Sequence, residues 1–385
     1  MTTQIDELMQ FLSGSITPFH AVEVMAKLLH ASEFEQLDQF DAVRMTPGKG
    51  YFVVHQGSSL MALRAGQGSV EAGLRLVGAH TDSPNLSVKP NPVKGRDGCI
   101  QLGVDVYGGA LLNPWFDRDL GMAGRVTLLT ADNTLLTTLF DTARAVAVIP
   151  SLAIHLDREA NSQRSINPQK DVVPLVMLGE HQQFDLKAWL AQELVRADSR
   201  WQGARVMDYE LSLYDTQPPN QIGIDGDFIA SARLDNLLSC YAGMRALIDA
   251  DEAQWSLFVA TDHEEVGSAS TVGAQGPMLM DALAALAPDP KLNRMMRAQS
   301  WMMSVDNAHA THPNYADRHD DQHSPRLGDG PVIKINRNQR YATTGEGAAR
   351  LRVLAERTEI DLQTFVMRSD LACGSTIGPI TATET

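Results

Sequence analysis

Three apolar runs of strand length are each followed at once by side chains that can bind a metal ion. The runs are LRLVGAH, WSLFVAT and WMMSV, and the polar residues at their ends are His80 with Asp82, Glu264 with Glu265, and Asp306. In open α/β sheets, ligands bind in the crevice beyond the carboxyl ends of the strands. We therefore predict that the three strand ends converge on one site.

A fourth candidate, Asp235 in the segment SARLDNLLSC, stands at the start of a predicted helix. The core-facing stripe of this helix is predicted to consist of Leu237, Leu238, Tyr241, Met244 and Ile248. Taken alone, Asp235 is also the kind of acid that caps a helix N-terminus. Together, the four segments offer imidazole nitrogen and carboxylate oxygen without thiolate, a donor set suited to zinc or a similar divalent ion.

Two adjacent glutamates at one strand end allow a division of roles. Neighbouring side chains of an extended strand point in opposite directions, so one glutamate can bind a metal while the other faces the substrate. In a metallohydrolase the metal lowers the pKa of a bound water, and a free carboxylate nearby takes the proton and passes it on. Asp82, two residues beyond His80, suits the role of accepting the second ring N–H of that histidine.

The residue patterns along the chain predict three regions. Residues 1–90 start with a helical pattern, AVEVMAKLLH, and continue with strands at GYFVVH and LRLVGAH. Residues 91–222 contain short alternating runs, with a hairpin turning at residues 131–133 and one helix at DLKAWLAQELVRA. In the run IQLGVDVYGG, the alternation places Ile100, Leu102, Val104 and Val106 on one face of a strand. Helices and strands alternate again from 223 to 385. We expect an α/β domain, 1–90 with 223–385, that is interrupted by a β-rich domain.

Charge and composition exclude several classes of partner. The formal net charge is −15, which argues against nucleic acid or an anionic membrane, because both require clustered Lys and Arg. The N-terminal segment MTTQIDELMQFLSGS has no signal-peptide core, and no stretch approaches the roughly 20 apolar residues of a membrane span. The three cysteines form no CxxC pattern, which favours reduced thiols. We expect a cytoplasmic protein.

Six segments carry a resemblance to a known family. They are GAHTDSPNL, ARLDNLLSC, DHEEVGS, DNAHATHPNYADRH, PVIKINRNQRYAT and RSDLACGSTIGPI, and in this order they resemble the aspartyl aminopeptidase and vacuolar aminopeptidase I family of dizinc exopeptidases, in a bacterial-type member. The resemblance covers nearly the whole chain. It implies a zinc-exopeptidase-type α/β domain, with a mixed sheet flanked by helices, and a β-rich dimerisation domain at 91–222. It also implies a homo-oligomer, the tetrahedral dodecamer, with enclosed active sites.

The resemblance also implies a role for each residue of the site. Two zinc ions per subunit are expected, with Co²⁺ or Mn²⁺ as alternatives. The family pattern implies four metal ligands, namely His80 and Asp306 for one ion, Glu265 for the other, and Asp235 as the bridge between them.

Further roles fall outside the set of metal ligands. Glu264 is expected to be the general base that acts on the bridging water, and Asp82 is expected to orient His80. His155 matches a histidine that the family contributes to the substrate site from a neighbouring subunit. The other residues expected to line the substrate pocket are His309, Lys334 and Tyr341.

The activity that the resemblance implies is removal of the N-terminal residue from peptides, with Asp or Glu suggested by the family name. A dizinc carboxypeptidase or N-deacylase is an alternative with the same metal chemistry, but it needs cationic groups for the substrate carboxylate. In the family, the chain continues beyond GSTIGPI to a histidine that completes the second zinc site, whereas this sequence ends at TATET. We therefore expect either a longer natural chain or a catalytically impaired oligomeric homologue.

Overall fold

The computed structural model describes residues 3–40 and 45–384. The chain forms two compact units. The first comprises Met1–Lys27 and Asp82–Leu237, and the second comprises Leu28–Thr81 and Leu238–Thr385. The domain boundaries expected from the sequence, and the dimerisation role of the β-rich region, stay predictions.

Eight α-helices lie in the described part of the chain. They are α1 (Gln4–Gly14), α2 (Pro18–Ala31), α3 (Leu186–Ala197), α4 (Leu234–Ile248), α5 (Met278–Leu286), α6 (Pro290–Gln299), α7 (Gly345–Thr358) and α8 (Ile377–Glu384). The helices predicted at AVEVMAKLLH and DLKAWLAQELVRA are confirmed as α2 and α3. Helix α3 begins after Asp185, whose carboxylate accepts a hydrogen bond from the backbone N–H of Ala188 and so satisfies one free amide of the first turn. None of the described helices is long and apolar enough to cross a membrane.

The described residues also form sixteen strands. They are β1 (Glu35–Gln36), β2 (Gly50–His55), β3 (Ser59–Arg64), β4 (Arg75–His80), β5 (Asn85–Arg96), β6 (Cys99–Tyr107), β7 (Leu120–Leu129), β8 (Leu135–Asp141), β9 (Leu175–Leu178), β10 (Arg205–Asp215), β11 (Asn220–Ile222), β12 (Phe228–Ala230), β13 (Ser256–Thr261), β14 (Trp301–Ser304), β15 (Val332–Lys334) and β16 (Gln363–Phe365).

The second unit contains a mixed six-stranded sheet in the order β1-β2-β3-β13-β4-β14. Strand β13 is antiparallel to β3 and parallel to β4, and β14 is also parallel to β4. The three apolar runs singled out in the sequence are β4, β13 and β14. Because these strands are mutually parallel, their carboxyl ends open at the same edge of the sheet.

The two faces of this sheet pack differently. Alternate residues of β13, Leu257 and Val259, belong to a core that includes residues of α5 and α6. Phe258 points to the opposite face, where helix α4 approaches the sheet at Gly243. A Cβ at Gly243 would lie 2.8 Å from a ring carbon of Phe258 and 2.9 Å from a methyl carbon of Val77. Only glycine allows the helix to approach this closely.

The buried stripe of α4 differs in part from the prediction. The buried apolar residues of the helix are Leu237, Cys240, Met244 and Leu247, and Leu238 is 37% exposed. The prediction for Leu238 was wrong because residues one apart on an α-helix are rotated by about 100° around its axis. Leu238 lies on the side of Leu237 that turns away from the buried stripe.

The first unit contains an antiparallel six-stranded sheet in the order β8-β7-β10-β5-β6-β9. The hairpin predicted at residues 131–133 is confirmed by the pairing of β7 with β8. Of the four residues of β6 predicted to share one face, Ile100, Leu102 and Val104 are buried and Val106 is half-buried. Helix α3 contributes to the same hydrophobic core, which explains why its apolar residues recur at helical spacing.

Candidate active site

Three of the predicted site residues meet at one ring nitrogen in the second unit. His80 is the last residue of β4, and its Nε2 atom lies 3.6 Å from Asp306 Oδ1 and 3.7 Å from Glu264 Oε2. The His80 side chain is only 2% exposed, and each carboxylate side chain is 15% exposed. The parallel strands explain the convergence, because Asp306 follows β14 and Glu264 follows β13 at the edge where β4 ends in His80.

The spacing of these atoms fits a divalent ion. His80 and Asp306 belong to a group whose ligand atoms lie within 4.8 Å of one another. Two ligand atoms at about 2.1 Å from a tetrahedral zinc ion are about 3.4 Å apart, close to the 3.6 Å observed between His80 and Asp306. A buried imidazole beside a carboxylate is also the donor chemistry that zinc accepts.

The second carboxylate oxygen of Asp306 is paired with a lysine. Lys334, the last residue of β15, donates from Nζ to Asp306 Oδ2 at 2.9 Å and to the backbone carbonyl of Asn307 at 2.8 Å. Burial alone would raise the pKa of Asp306, but its interactions with His80 and Lys334 outweigh this effect and bring the pKa to about 2. Asp306 is therefore a carboxylate throughout the physiological pH range.

The two glutamates lie in a turn, not in an extended strand. Strand β13 ends at Thr261, and Glu264–Val266 forms a 3₁₀ turn. The argument from strand alternation was therefore wrong as an explanation of how Glu264 and Glu265 differ. Glu265 is half-buried beside Glu264, and among the described residues it is not part of the group that contains His80 and Asp306.

His263 shapes this turn, a role that the sequence did not suggest. Its backbone is left-handed, with φ at 61°, and its carbonyl accepts the N–H of Ser268 at 2.7 Å. The Nδ1 atom of its ring lies 2.8 Å from Ser270 Oγ. The only signal available in the sequence was the position of His263 directly before the two glutamates.

Asp82 is held by a tyrosine within the first unit. The Asp82 side chain is buried, and its Oδ2 atom accepts a hydrogen bond from the hydroxyl of Tyr107 at 2.7 Å. Tyr107 was not predicted. Tyr107 reaches Asp82 because β5 pairs with β6 in a register that sets Asn85 opposite Tyr107. No motif in the sequence predicts this register.

Asp235 lies in the first turn of α4, as predicted, within the first unit. The residue is exposed and has non-helical backbone angles, and the Asp235–Asn236 peptide bond is cis. Its backbone carbonyl accepts a hydrogen bond from Ser83 Oγ at 2.7 Å.

Two predicted pocket residues pack around Phe365 in the second unit. The His309 ring lies 5.0 Å from the Phe365 ring, and the Tyr341 ring lies 6.5 Å from it. Burial lowers the pKa of His309, and the neighbouring His319 and Lys334 lower it further. Burial and a hydrogen bond with Cys373 raise the pKa of Tyr341. Both side chains are therefore held in their neutral forms near pH 7.

His155 is far in sequence from the other predicted pocket residues and lies in an exposed turn of the first unit. Its neighbours Ile154 and Leu156 are also exposed, Leu156 to 75%.

Comparison with known proteins identifies the family. A sequence model described as aminopeptidase I zinc metalloprotease, family M18, matches residues 11–385. The chain belongs to the M18 family. It is a zinc metalloaminopeptidase and therefore a hydrolase. The family that the six sequence segments resembled is confirmed.

Curated and solved relatives of this M18 aminopeptidase agree in sequence and fold. The chain is 51% identical over 379 residues to a probable M18 family aminopeptidase 2 of Pseudomonas entomophila, covering 98% of this chain and 88% of the relative. A chain in the cryo-EM structure of the Ape4 and Nbr1 complex is 34% identical with a TM-score of 0.92, covering 98% of this chain and 77% of that one. The mApe1 dodecamer of S. cerevisiae is 26% identical with a TM-score of 0.82, covering 98% and 87%. The predicted α/β fold class is confirmed.

Proposed function

We propose that this M18 aminopeptidase removes N-terminal residues from peptides with two bound divalent ions and with Glu264 as the general base. Zinc is the expected metal, and Co²⁺ or Mn²⁺ are alternatives because donors of this type discriminate modestly among them. The observation that carries the proposal is the placement of Asp306 Oδ1 and Glu264 Oε2 at 3.6 and 3.7 Å from the same imidazole nitrogen of His80.

The proposed ligands follow the family pattern. His80 and Asp306 would hold one ion, Glu265 would hold the other, and Asp235 would bridge them. When bound, the ions supply a water of lowered pKa and polarise the scissile carbonyl. Asp82 would accept the second ring N–H of His80 and fix its tautomer, and the hydrogen bond from Tyr107 to Asp82 would hold that carboxylate in place.

Glu264 is suited to move the proton. Its side chain is largely buried but not sealed, at 15% exposed, so water can reach it. In the proposed reaction Glu264 accepts a proton from the attacking water and donates it to the nitrogen of the departing peptide, which leaves as a free amine.

The substrate pocket is proposed to include His155, His309, Lys334 and Tyr341. His155 would come from a neighbouring subunit, which fits the exposed apolar side chains on either side of it. We accordingly propose a homo-oligomer, the dodecamer, by analogy with the mApe1 dodecamer of S. cerevisiae. The preference for N-terminal Asp or Glu and the cytoplasmic location stay predictions.

The test is hydrolysis of acidic, aliphatic and basic aminoacyl reporter substrates in the presence of divalent metal. Glu264→Gln should lower kcat by about 10²- to 10⁴-fold, the usual contribution of a general base. Glu346→Gln is the matched control, because Glu346 is an exposed glutamate in α7 that pairs with Arg350. Turnover of N-blocked substrates in preference to free amines would refute the proposal and favour a carboxypeptidase or N-deacylase.

A further inference from the structure

Asp262 is a buried acid that the proposed reaction does not use. It follows Thr261, the last residue of β13, and is only 4% exposed. Among the described residues, it does not belong to the group of possible metal ligands that contains His80 and Asp306. Burying a carboxylate is costly unless polar groups of the protein pair with it. The partners of Asp262 therefore indicate what it does.

Both carboxylate oxygens of Asp262 approach the next residue, His263. Oδ1 accepts the backbone N–H of His263 at 2.7 Å, and Oδ2 lies 3.7 Å from Nε2 of the His263 ring. The backbone N–H of Asp262 is donated to Ser59 Oγ at 3.0 Å and to the carbonyl of Val272 at 3.1 Å. Because Ser59 is the first residue of β3, Asp262 is anchored to the sheet as well as to its own loop.

The His263 ring is held on its other side by a serine. The Nδ1 atom of the ring lies 2.8 Å from Ser270 Oγ, and this oxygen also accepts the backbone N–H of Gly273 at 3.0 Å. The carboxylate beside Nε2 favours the tautomer with its proton on Nε2, which leaves Nδ1 to accept the hydroxyl hydrogen of Ser270. The ring therefore links Asp262 to the loop that follows the two glutamates.

These contacts support a backbone conformation that is uncommon outside glycine. His263 has φ at 61°, in the left-handed region. In this conformation its carbonyl accepts the N–H of Ser268 at 2.7 Å, and the carbonyl of Glu264 accepts the N–H of Gly267 at 2.9 Å. These two bonds close the turn that carries Glu264 and Glu265. The direction of both glutamate side chains consequently depends on the backbone of His263.

We propose that Asp262 is a positioning residue that holds His263 in the left-handed conformation and so orients Glu264 and Glu265 in the site. The inference rests on the proposed function, because it takes Glu264 to be the general base and Glu265 to be a metal ligand. It adds to that function a residue that acts only through the turn and contacts neither substrate nor metal.

The first arm of the test measures turnover of the aminoacyl reporter substrates. Asp262→Ala removes the acceptor of the His263 N–H. It should lower kcat by about 10- to 100-fold, the usual effect of losing a group that orients a metal ligand. KM should change little, because the residues proposed to line the substrate pocket lie outside this turn. Asp262→Asn keeps one oxygen for the His263 N–H and should restore most of kcat.

The second arm measures Zn²⁺ binding to metal-free protein by competition with a chromogenic chelator. Asp262→Ala should weaken this binding by about 10- to 100-fold. It should also change the absorption spectrum of the Co²⁺-substituted protein, because a displaced Glu265 alters the coordination of the ion.

Asp289→Ala is the matched control for both arms. The Asp289 carboxylate also accepts backbone N–H groups, those of Lys291 and Leu292, but it does so at the start of α6. The control should leave kcat, Zn²⁺ affinity and the Co²⁺ spectrum unchanged, even if it lowers the Tm.

Two results would overturn the inference. One is a folded Asp262→Ala protein whose kcat, Zn²⁺ affinity and Co²⁺ spectrum match those of the wild type. The other is a loss of kcat in Asp262→Asn as large as that in Asp262→Ala, because an oxygen for the His263 N–H would then not be enough. Wild-type protein that neither binds metal nor turns over substrate would instead overturn the proposed function, and the inference with it.

A second variant covers the case in which circular dichroism shows that Asp262→Ala is unfolded. His263→Val then replaces it, because a residue with a branched Cβ is disfavoured in the left-handed region. The same loss of kcat and the same change in the Co²⁺ spectrum are expected. His263→Asn should restore most of both, since asparagine adopts this region more readily. Wild-type kcat in folded His263→Val protein would overturn the inference.

Discussion

Replacing Gly243 with alanine tests how closely helix α4 must approach the catalytic sheet. The added Cβ would lie 2.8 and 2.9 Å from two ring carbons of Phe258 and 2.9 Å from a methyl carbon of Val77. Real Cβ atoms essentially never approach so closely, so either the helix or the sheet must move. Phe258 is fully buried, which leaves its ring no space into which it can retreat.

The magnitude follows from two opposing effects. Alanine is better than glycine in a helix interior by about 0.5–1 kcal/mol, whereas an extra carbon in a well-packed core costs about 1–3 kcal/mol. The steric effect wins because three atoms are too close at once. We expect a net loss of about 0.5–2 kcal/mol, which corresponds to a fall in Tm of roughly 1–8 °C for a unit of this size.

Thermal unfolding of the metal-free protein measures this loss, and Gly345→Ala is the matched control. Gly345 is the first residue of α7, and a Cβ there would meet no atom within 4 Å. The control should keep or slightly raise the Tm. Because Phe258 and Val77 lie on β13 and β4, the strands that lead to Glu264 and His80, Gly243→Ala should also lower kcat/KM.

The outcome that refutes this reasoning is a Gly243→Ala variant as stable as the Gly345→Ala control. It would mean that α4 and the sheet separate by a few tenths of an ångström without cost. The double variant Gly243→Ala with Phe258→Leu provides a second check, because a smaller residue at 258 should make the alanine less harmful than it is in the wild-type background.

Three further predictions concern metal, backbone and pH. Treatment with a chelator should abolish turnover, and added Zn²⁺ should restore it. Full activity in protein that elemental analysis shows to lack metal would contradict the proposal that turnover requires a bound metal ion. His263→Val should lower the stability by about 1–2 kcal/mol, the cost of a left-handed backbone at a residue with a branched Cβ, and His263→Asn should lower it less; equal Tm values would refute this. Burial lowers the pKa of His20 below 6.5, so below pH 6.5 the unfolded state binds more protons at this residue than the folded state does. The contribution of His20 to the free energy of unfolding is therefore fully present above pH 6.5 and is lost as the pH falls below that value. His20→Gln should make the Tm depend less steeply on pH below 6.5. An unchanged slope would show that His20 is not a source of this pH dependence.

The sequence alone determined the local elements and the family of this protein. An apolar run of strand length predicted β4, a period-2 pattern predicted β6, and helical patterns predicted α2 and α3, because the periodicity of burial is imposed by backbone geometry within each element. The residues at the strand ends predicted the site for a similar reason, since parallel strands bring their carboxyl ends to one edge of the sheet. Six short segments sufficed to predict the M18 family.

Only the tertiary structure decided how the side chains of the site are held. The pairing of Lys334 with Asp306 and of Tyr107 with Asp82 joins residues 28 and 25 positions apart, and both contacts depend on strand pairing that no short motif encodes. The turn at Glu264 includes the left-handed backbone of His263, a conformation that is uncommon for residues other than glycine and that no local pattern in the sequence indicates. Local patterns reflect the geometry of a single element, whereas these contacts arise only after several elements have packed.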